Sequence, residues 1–284
     1  MLYNQKNSNF AIMNNMPSSS FHEIVMIGAG NLATHLSWAF TCAGHSIKGV
    51  YSRSLQSAEM LAKRNGRGCV ATNKLQEILQ ADIYVIAVTD TALSQIISSW
   101  PEHCKGGVVL HTSGSVPMSL LKEVGGDYGV LYPLQTFSKQ RKISFSDIPC
   151  FVEGNSPQTT DIIVNLANTI SQTVHFLDSH RRKRLHLAAV FACNFVNHLY
   201  DLASELLKDE NLDPQWLQPL IRETADKINS LSPRQAQTGP ALRADKKIMT
   251  QHLGQLDEFP ELQSIYKSLS NSIYNTFHGS YDKL

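Results

Sequence analysis

A short apolar run that ends in a glycine-rich turn constrains this chain more than any other segment. Residues 23–28 suit a buried parallel strand, and Gly28-Ala29-Gly30-Asn31-Leu32-Ala33 forms the turn that follows. Apolar residues at helical spacing then continue from Asn31 to Ala43, and Gly44 can end that helix. This strand–turn–helix unit predicts the start of an α/β sheet.

The alternation continues through the first half of the chain. It implies right-handed βαβ crossovers, a mostly parallel sheet and a ligand at the carboxyl ends of the strands. Further strands are predicted over residues 47–51, 69–71, 82–88, 108–111, 129–132 and 150–152, and helices over residues 54–64, 91–100 and 117–123, with a brief one from residue 73.

The second half reads as helical after a last strand near residues 174–177. The predicted helices cover residues 182–207, 214–229, 245–253 and 260–277. We therefore expect a leader over residues 1–20, a Rossmann-type α/β domain over residues 21–178 and an all-α domain over residues 179–284. The Asn- and Ser-rich leader is predicted to be disordered, with Met13 and Met16 as alternative initiators.

Composition excludes several classes of protein. The 284 residues carry 25 Lys and Arg against 24 Asp and Glu, so no global basic field would attract a nucleic acid. No apolar run is long enough to cross a membrane. The five cysteines are widely spaced and form no CxxC pair, which indicates reduced, mostly buried thiols in a cytosolic protein.

The glycine turn has the residues that a dinucleotide requires. Gly28 permits a tight turn, Gly30 lets the backbone approach a pyrophosphate, and Ala33 allows close packing of helix on strand. The backbone amides of Asn31 and Leu32 would then face the anion. The alternative interpretation is a tight turn that binds nothing.

The residues after the second predicted strand indicate which dinucleotide binds. NAD-binding folds usually carry an Asp or Glu there, whereas this chain has Ser52, Arg53 and Ser54. A planar guanidinium suits a 2′-phosphate or an adenine face, and both serines can donate to the same oxygens. The sequence thus favours NADP(H), unless Arg53 is a solvated side chain beside a helix-capping serine.

Several segments together resemble a known family. The opening residues are similar to the group of pyrroline-5-carboxylate reductase and the 6-phosphogluconate and β-hydroxyacid dehydrogenases. Over residues 22–280 the chain resembles a bacterial family of NADP oxidoreductases that joins a Rossmann-like domain to a helical domain of unknown function. The resemblance rests on residues 87–90, 111–115, 132–137, the helix around residues 186–198, Thr238-Gly239-Pro240, Arg243 and Asp245.

Two loops at strand ends supply further candidates. Val88 and Thr89 end the most apolar strand, where small residues would let a nicotinamide ribose approach. Asp90 is expected to cap the next helix, and the alternative for it is a catalytic role. In the second loop, Thr112, Ser113 and Gly114 can hold a carboxylate or carbonyl oxygen, with Ser113 in a catalytic role. The alternative for this second loop is a polar turn before the helix at Pro117.

The long helix carries the candidates for acid–base chemistry. His186, Asn194 and His198 are predicted to lie near one face. The related dehydrogenases use a Lys four residues before an Asn, and the corresponding residue here is Val190. Either the acid–base group is missing from this chain or its role has passed to His186, with Asn194 orienting the substrate. The alternative for each histidine is a structural role, and no metal site is expected, since no Cys or acid stands at ligand spacing.

Two more residues complete the predicted substrate side. Gln135 follows the strand at residues 129–132, and Arg243 can clamp a carboxylate unless it pairs with Asp245. The function expected from these features and the resemblance is NADP(H)-dependent hydride transfer to or from a small carbonyl, imine or hydroxy compound, by a homodimer that pairs through its helical domain. The alternative function is a non-catalytic NADP(H) sensor.

Overall fold

The computed structural model describes residues 21–279, apart from the side chain of Asp209. The chain divides into two compact units, one that ends at Asn194 and one that begins at Phe195. The boundary predicted at residues 178 and 179 lies one helix before this division and stays a prediction. The leader, Met13 and Met16 lie outside the described residues.

The first unit is built on one sheet of eight strands in the order β3-β2-β1-β4-β5-β6-β7-β8. Strands β1 to β6 are parallel, β7 runs antiparallel to β6, and β8 is parallel to β7. The mostly parallel sheet is therefore confirmed. The strands are β1 Glu23–Ile27, β2 Ser46–Tyr51, β3 Val70–Thr72, β4 Ile83–Ile86, β5 Val108–His111, β6 Tyr128–Pro133, β7 Cys150–Gly154 and β8 Val174–Phe176.

Helices pack on both faces of this sheet, so the inner strands are apolar throughout. All four residues of β4 are buried, and two separate clusters of buried side chains lie on its two sides. The helices of this unit are α1 Asn31–Cys42, α2 Leu55–Asn65, α3 Asp90–Ser98, α4 Pro157–Asn168 and α5 Ser179–Ala189, with 3₁₀ turns at Leu75–Glu77, Glu102–Cys104 and Met118–Val124 and a π-helix at Val190–Phe195.

Helix α4 is the α-helix of the sheet region that the sequence did not predict, and the short 3₁₀ turn Glu102–Cys104 was not predicted either. Its start has the expected signals, because Ser156 accepts from the amide of Thr159 at 3.0 Å and Pro157 occupies the first helical turn. Ile163 and Leu166 then bury its inner face against the sheet. The polar residues 155–161 obscured this periodicity.

The second unit is helical. Its side chains are less buried than those of the sheet, and Trp216, Leu220 and Ile228 are 68%, 63% and 55% exposed. The predicted helices are present, although the segment predicted as one helix over residues 182–207 is α5, the π-helix and α6. The helices of this unit are α6 Val196–Asp209, α7 Gln218–Lys227, α8 Pro233–Ala236, α9 Lys246–Gln255 and α10 Pro260–His278, and a 3₁₀ turn covers Pro214–Leu217.

Candidate functional site

A cleft of about 700 Å³ opens at the carboxyl ends of β1 and β4, where the strand order reverses. Gly28 forms the turn out of β1 with φ of +119°, and its amide donates to the carbonyl oxygen of Tyr51 at 2.7 Å. A Cβ at this position would lie 2.3 Å from the carbonyl oxygen of Ala87. Only glycine fits this turn.

Gly30 lines the cleft for a different reason. A Cβ there would meet no atom within 4 Å, so the space above this backbone belongs to the cleft. Helix α1 begins at the next residue without a side-chain cap, which leaves the amides of Asn31 and Leu32 facing the same space. Ala33 is fully buried. The residues therefore fit a dinucleotide pyrophosphate.

Ser52 and Arg53 lie at the end of this cleft next to β2. The guanidinium of Arg53 is exposed and makes no ion pair with any described acidic side chain. Ser54 does not line the cleft, because its hydroxyl accepts from the amide of Ser57 at 3.3 Å and caps α2. A cation without an acidic partner is what a 2′-phosphate would need here.

Val88 and Thr89 line the middle of the cleft, after β4. The prediction that Asp90 caps α3 is wrong, since Thr89 occupies the cap position and Asp90 is the first helical residue. The Asp90 carboxylate instead accepts a hydrogen bond from the hydroxyl of Ser115. Asp90 thereby holds the next loop against the start of α3.

Thr112, Ser113 and Gly114 also line the cleft. The Ser113 hydroxyl accepts from the amides of Ser115 at 3.2 Å and Val116 at 3.0 Å, so it closes its own turn. This contact supports the polar-turn alternative for Ser113. Its predicted catalytic role stays a prediction.

Gly114 lies directly against His186 of α5. A Cβ on Gly114 would be 2.6 Å from Nδ1 of His186 and 2.8 Å from its Cβ. The absence of a side chain at residue 114 thus lets the imidazole reach the cleft.

Tyr132 is a hydrogen-bond partner of His186 that the sequence did not predict. The Tyr132 hydroxyl lies 3.0 Å from Nδ1 of His186, and either atom can be the donor, depending on the tautomer. Burial raises the pKa of Tyr132 and the Arg182 guanidinium partly opposes this, so the hydroxyl is protonated at neutral pH. The available signal was its position at the carboxyl end of a predicted parallel strand.

A second cavity of about 600 Å³, here called the apolar cavity, adjoins the cleft. Tyr132 and His186 line both spaces, which places their hydrogen bond at the junction. Gln135 and Asn194 line the apolar cavity and not the cleft. The structure therefore brings His186, Asn194 and Gln135 to one cavity.

Arg182 holds the residues around His186 in place through buried contacts. It is fully buried, and its guanidinium donates to the Glu153 carboxylate at 2.5 Å and to the carbonyl oxygens of Ser113 at 3.2 Å and Val116 at 2.7 Å. Arg182 also stands one helical turn before His186. A single side chain thus ties the loop at residues 113–116 to α5, a contact that helical periodicity did not reveal.

The π-helix explains the position of Val190. In an α-helix residues four apart share a face, but the wider π turn at Val190–Phe195 breaks that relation. Asn194 lines the apolar cavity whereas Val190 lines neither space. The position at which the related dehydrogenases carry their lysine thus lies outside the lining of both spaces in this protein.

Two predicted residues belong to the second unit. His198 lies exposed in α6. Arg243 is exposed and makes no ion pair with Asp245, whose carboxylate caps α9 by accepting from the amide of Ile248 at 3.2 Å. The pairing alternative for Arg243 is therefore wrong, and its substrate role stays a prediction.

The other sequence expectations concern thiols, metals and membranes. All five cysteines are free thiols, of which Cys104 and Cys150 are buried and Cys42 is exposed. Between residues 21 and 279, no three His, Cys, Asp or Glu side chains are grouped to hold a metal ion. No helix in that same range combines the length and apolarity needed to span a bilayer.

Comparison with known proteins identifies the family. Residues 14–135 match the family described as a Rossmann-like domain, and residues 148–273 match the domain of unknown function DUF2520. A Bacteroides fragilis protein, described as a putative NADP oxidoreductase, is 43% identical over 91% of this chain and 100% of its own, with a TM-score of 0.87. This chain belongs to the same family as the Bacteroides protein. The resemblance to a two-domain family of this organisation is confirmed.

More distant structures share the fold of this Rossmann–DUF2520 protein. A Thermotoga maritima protein is 22% identical over 88% of this chain and 96% of its own, with a TM-score of 0.63. A reductive aminase from Aspergillus terreus, in complex with NADPH and ethyl levulinate, is 14% identical over 92% of this chain and 96% of its own, with a TM-score of 0.70. No protein in the curated set matches the sequence.

Proposed function

We propose that this protein is an NADP(H)-dependent oxidoreductase that transfers a hydride to or from a small carbonyl, imine or hydroxy compound. One observation carries the proposal: a single cleft has an exposed arginine without an acidic partner at one end and a tyrosine–histidine hydrogen bond at the other. The description of the Bacteroides relative as an NADP oxidoreductase supports it, and so does NADPH in the Aspergillus enzyme of the same fold.

The cofactor would be held along the cleft. The amides of Asn31 and Leu32 at the start of α1 would bind the pyrophosphate, with Gly30 leaving room for it. Arg53 and Ser52 would bind the 2′-phosphate, and Val88 and Thr89 would line the ribose beside the nicotinamide. The reduced nicotinamide supplies the hydride.

Proton transfer falls to the two residues at the junction. When Nδ1 of His186 carries a proton it donates to the Tyr132 oxygen, which leaves the Tyr132 proton for the substrate. In the reducing direction Tyr132 gives that proton to the carbonyl oxygen or imine nitrogen as the carbon gains a hydride. His186 then passes its Nδ1 proton to Tyr132 while its Nε2 takes up a proton from water, so that the imidazole stays neutral. Asn194 orients the substrate from the apolar cavity.

We also propose a cytoplasmic homodimer that pairs through the helical unit. The support comes from three large apolar side chains that are each more than half exposed, Trp216, Leu220 and Ile228. Because such side chains are usually buried in a stable assembly, a second copy of the chain would cover them. Mass measurement in solution at decreasing protein concentration tests this proposal, and a monomer at every concentration would contradict it.

Titration with NADPH, followed by its fluorescence, tests the cofactor proposal. We expect a Kd within about 1 μM to 1 mM, the usual range of enzyme substrates, and weaker binding of NADH. Loss of NADPH absorbance with a panel of carbonyl and imine compounds then tests turnover. NADPH binding without any turnover would favour the sensor alternative, and no binding at about millimolar NADPH would contradict both.

A further inference from the structure

The walls of the apolar cavity are mainly apolar. Leu134, Phe137, Leu185 and Ala189 supply apolar surface, and the polar side chains include Gln135, Asn194 and the imidazole of His186. No Lys, Arg, Asp or Glu lines it. Its volume of about 600 Å³ lies within the usual range of sites that bind small molecules.

The cations of α5 do not reach this cavity. Lys183 and Arg184 are exposed and do not line it. Arg182 stands one turn before His186 but is fully buried, and Glu153 together with two backbone carbonyl oxygens accepts its hydrogen bonds. A substrate carboxylate in the cavity would therefore lose part of its hydration without gaining a Lys or Arg partner. Such unpaired desolvation disfavours an anionic ligand.

We propose that the apolar cavity binds the part of the substrate next to the reacting carbon, and that this part is uncharged and mainly apolar. The site would accept neutral ketones, aldehydes or imines and reject keto acids and amino-acid-derived imines. This inference rests on the proposed oxidoreductase function for the identity of the reacting group. The competing expectation is a substrate carboxylate clamped by Arg243.

Two unreactive molecules of equal size separate these possibilities. Cyclohexanecarboxamide is neutral and cyclohexanecarboxylate is an anion of almost the same shape. Their dissociation constants are measured by ligand-observed NMR on the full chain, with and without NADP⁺. We expect the carboxamide to bind on the order of millimolar, as fragments this small do, and the carboxylate to bind about tenfold or more weakly.

A matched pair of variants assigns the binding to this cavity. Gln135 and Gln140 both lie exposed in the segment after β6, and each accepts one local hydrogen bond, but only Gln135 lines the cavity. Gln135→Arg should strengthen carboxylate binding about tenfold by supplying the missing cation. Gln140→Arg should leave the ratio of the two dissociation constants as in the wild type.

The outcomes are distinct. Preference for the carboxamide, removed by Gln135→Arg alone, supports the proposal. Three results overturn it: equal or tighter binding of the carboxylate, binding of neither molecule, or the same response in both variants. A carboxylate preference that is lost in Arg243→Gln would establish the clamp instead. Because these probes do not react and bind without cofactor, a failure here is distinguishable from a failure of NADPH to bind.

Discussion

The Tyr132 hydroxyl and Nδ1 of His186 lie 3.0 Å apart, although 54 positions separate the two residues in the chain. One ends a strand of the sheet and the other belongs to a helix that follows the last strand. Gly114 leaves the space into which the imidazole fits, and the buried Arg182 holds the same helix in place. The chemistry of the site therefore depends on contacts between distant segments.

Tyr132→Phe should lower kcat about a hundredfold on any compound that the wild type reduces, because positioned acid–base groups typically contribute this much. The NADPH Kd should not change. Tyr128→Phe, at the start of the same strand, lines neither cavity and is the control. Steady-state kinetics gives the first readout, and the nitrogen NMR shifts of the His186 ring give a second that needs no substrate. Full activity together with unchanged His186 shifts would remove Tyr132 from the mechanism.

Arg53→Ala should weaken NADPH binding about ten- to a hundredfold, since hydrogen bonds to charged groups contribute about 1.5–3 kcal/mol. NADH has no 2′-phosphate, so its Kd should be nearly unchanged. Arg64→Ala, in the last turn of α2 and outside the cleft, is the matched control. Fluorescence titration measures both cofactors, and an equal loss for NADPH and NADH would contradict recognition of the phosphate by Arg53.

Gly30→Ala should abolish NADPH binding and leave the stability of the fold unchanged. The added methyl group meets no protein atom within 4 Å, so the free energy of unfolding should not fall. The same methyl group would occupy the space proposed for the pyrophosphate, and NADPH binding should be lost. Urea unfolding and NADPH titration measure the two effects, with Gly254→Ala, which also meets no atom, as the control. Unimpaired NADPH binding would mean that the pyrophosphate lies elsewhere.

Arg182→Met should lower the free energy of unfolding by about 3–5 kcal/mol, because it leaves the Glu153 carboxylate buried without a cation, although the Ser179 hydroxyl still donates to it. Arg181→Met removes the neighbouring exposed pair with Asp178 and should lower the free energy of unfolding far less, because water screens that pair. Urea denaturation compares the two. Combining Arg182→Met with Glu153→Leu should recover part of the loss, and a double variant no more stable than Arg182→Met would contradict this explanation.

Two buried histidines should make stability fall in mild acid. Burial, and to a smaller degree Arg182, lowers the pKa of His111 to about 3, while burial and His22 lower that of His45 to about 4, both from an ordinary value of 6.5. The unfolded chain therefore binds more protons than the folded one below about pH 6.5. The free energy of unfolding is therefore highest above that pH. Each histidine should lower it by up to about 2 kcal/mol between pH 7 and pH 5.

Urea unfolding at both pH values checks this dependence. In the wild type the Ser113 amide donates to Nδ1 of His111 at 3.2 Å. His111→Asn keeps an acceptor for this amide, but the asparagine side chain does not titrate. The difference in stability between pH 7 and pH 5 should be smaller in this variant than in the wild type. An unchanged difference would show that His111 does not contribute.

The sequence by itself determined the parallel sheet, the glycine turn and the position of Arg53, because these depend on neighbouring residues. Gly28 and Gly30 act through their own backbone, and Arg53 follows directly from the end of β2. Helix α4 also had its local signals in Ser156 and Pro157, although they were missed.

Only the tertiary structure decided which side chains meet. Segments far apart in the chain meet in the Tyr132–His186 hydrogen bond, in the Arg182–Glu153 pair and in the mainly apolar wall of the apolar cavity. The π-helix likewise changed which residues of the long helical segment share a face. Periodicity reports which face of an element is buried, but the partner across that face is set by packing, and a single sequence does not contain that pairing in any local pattern.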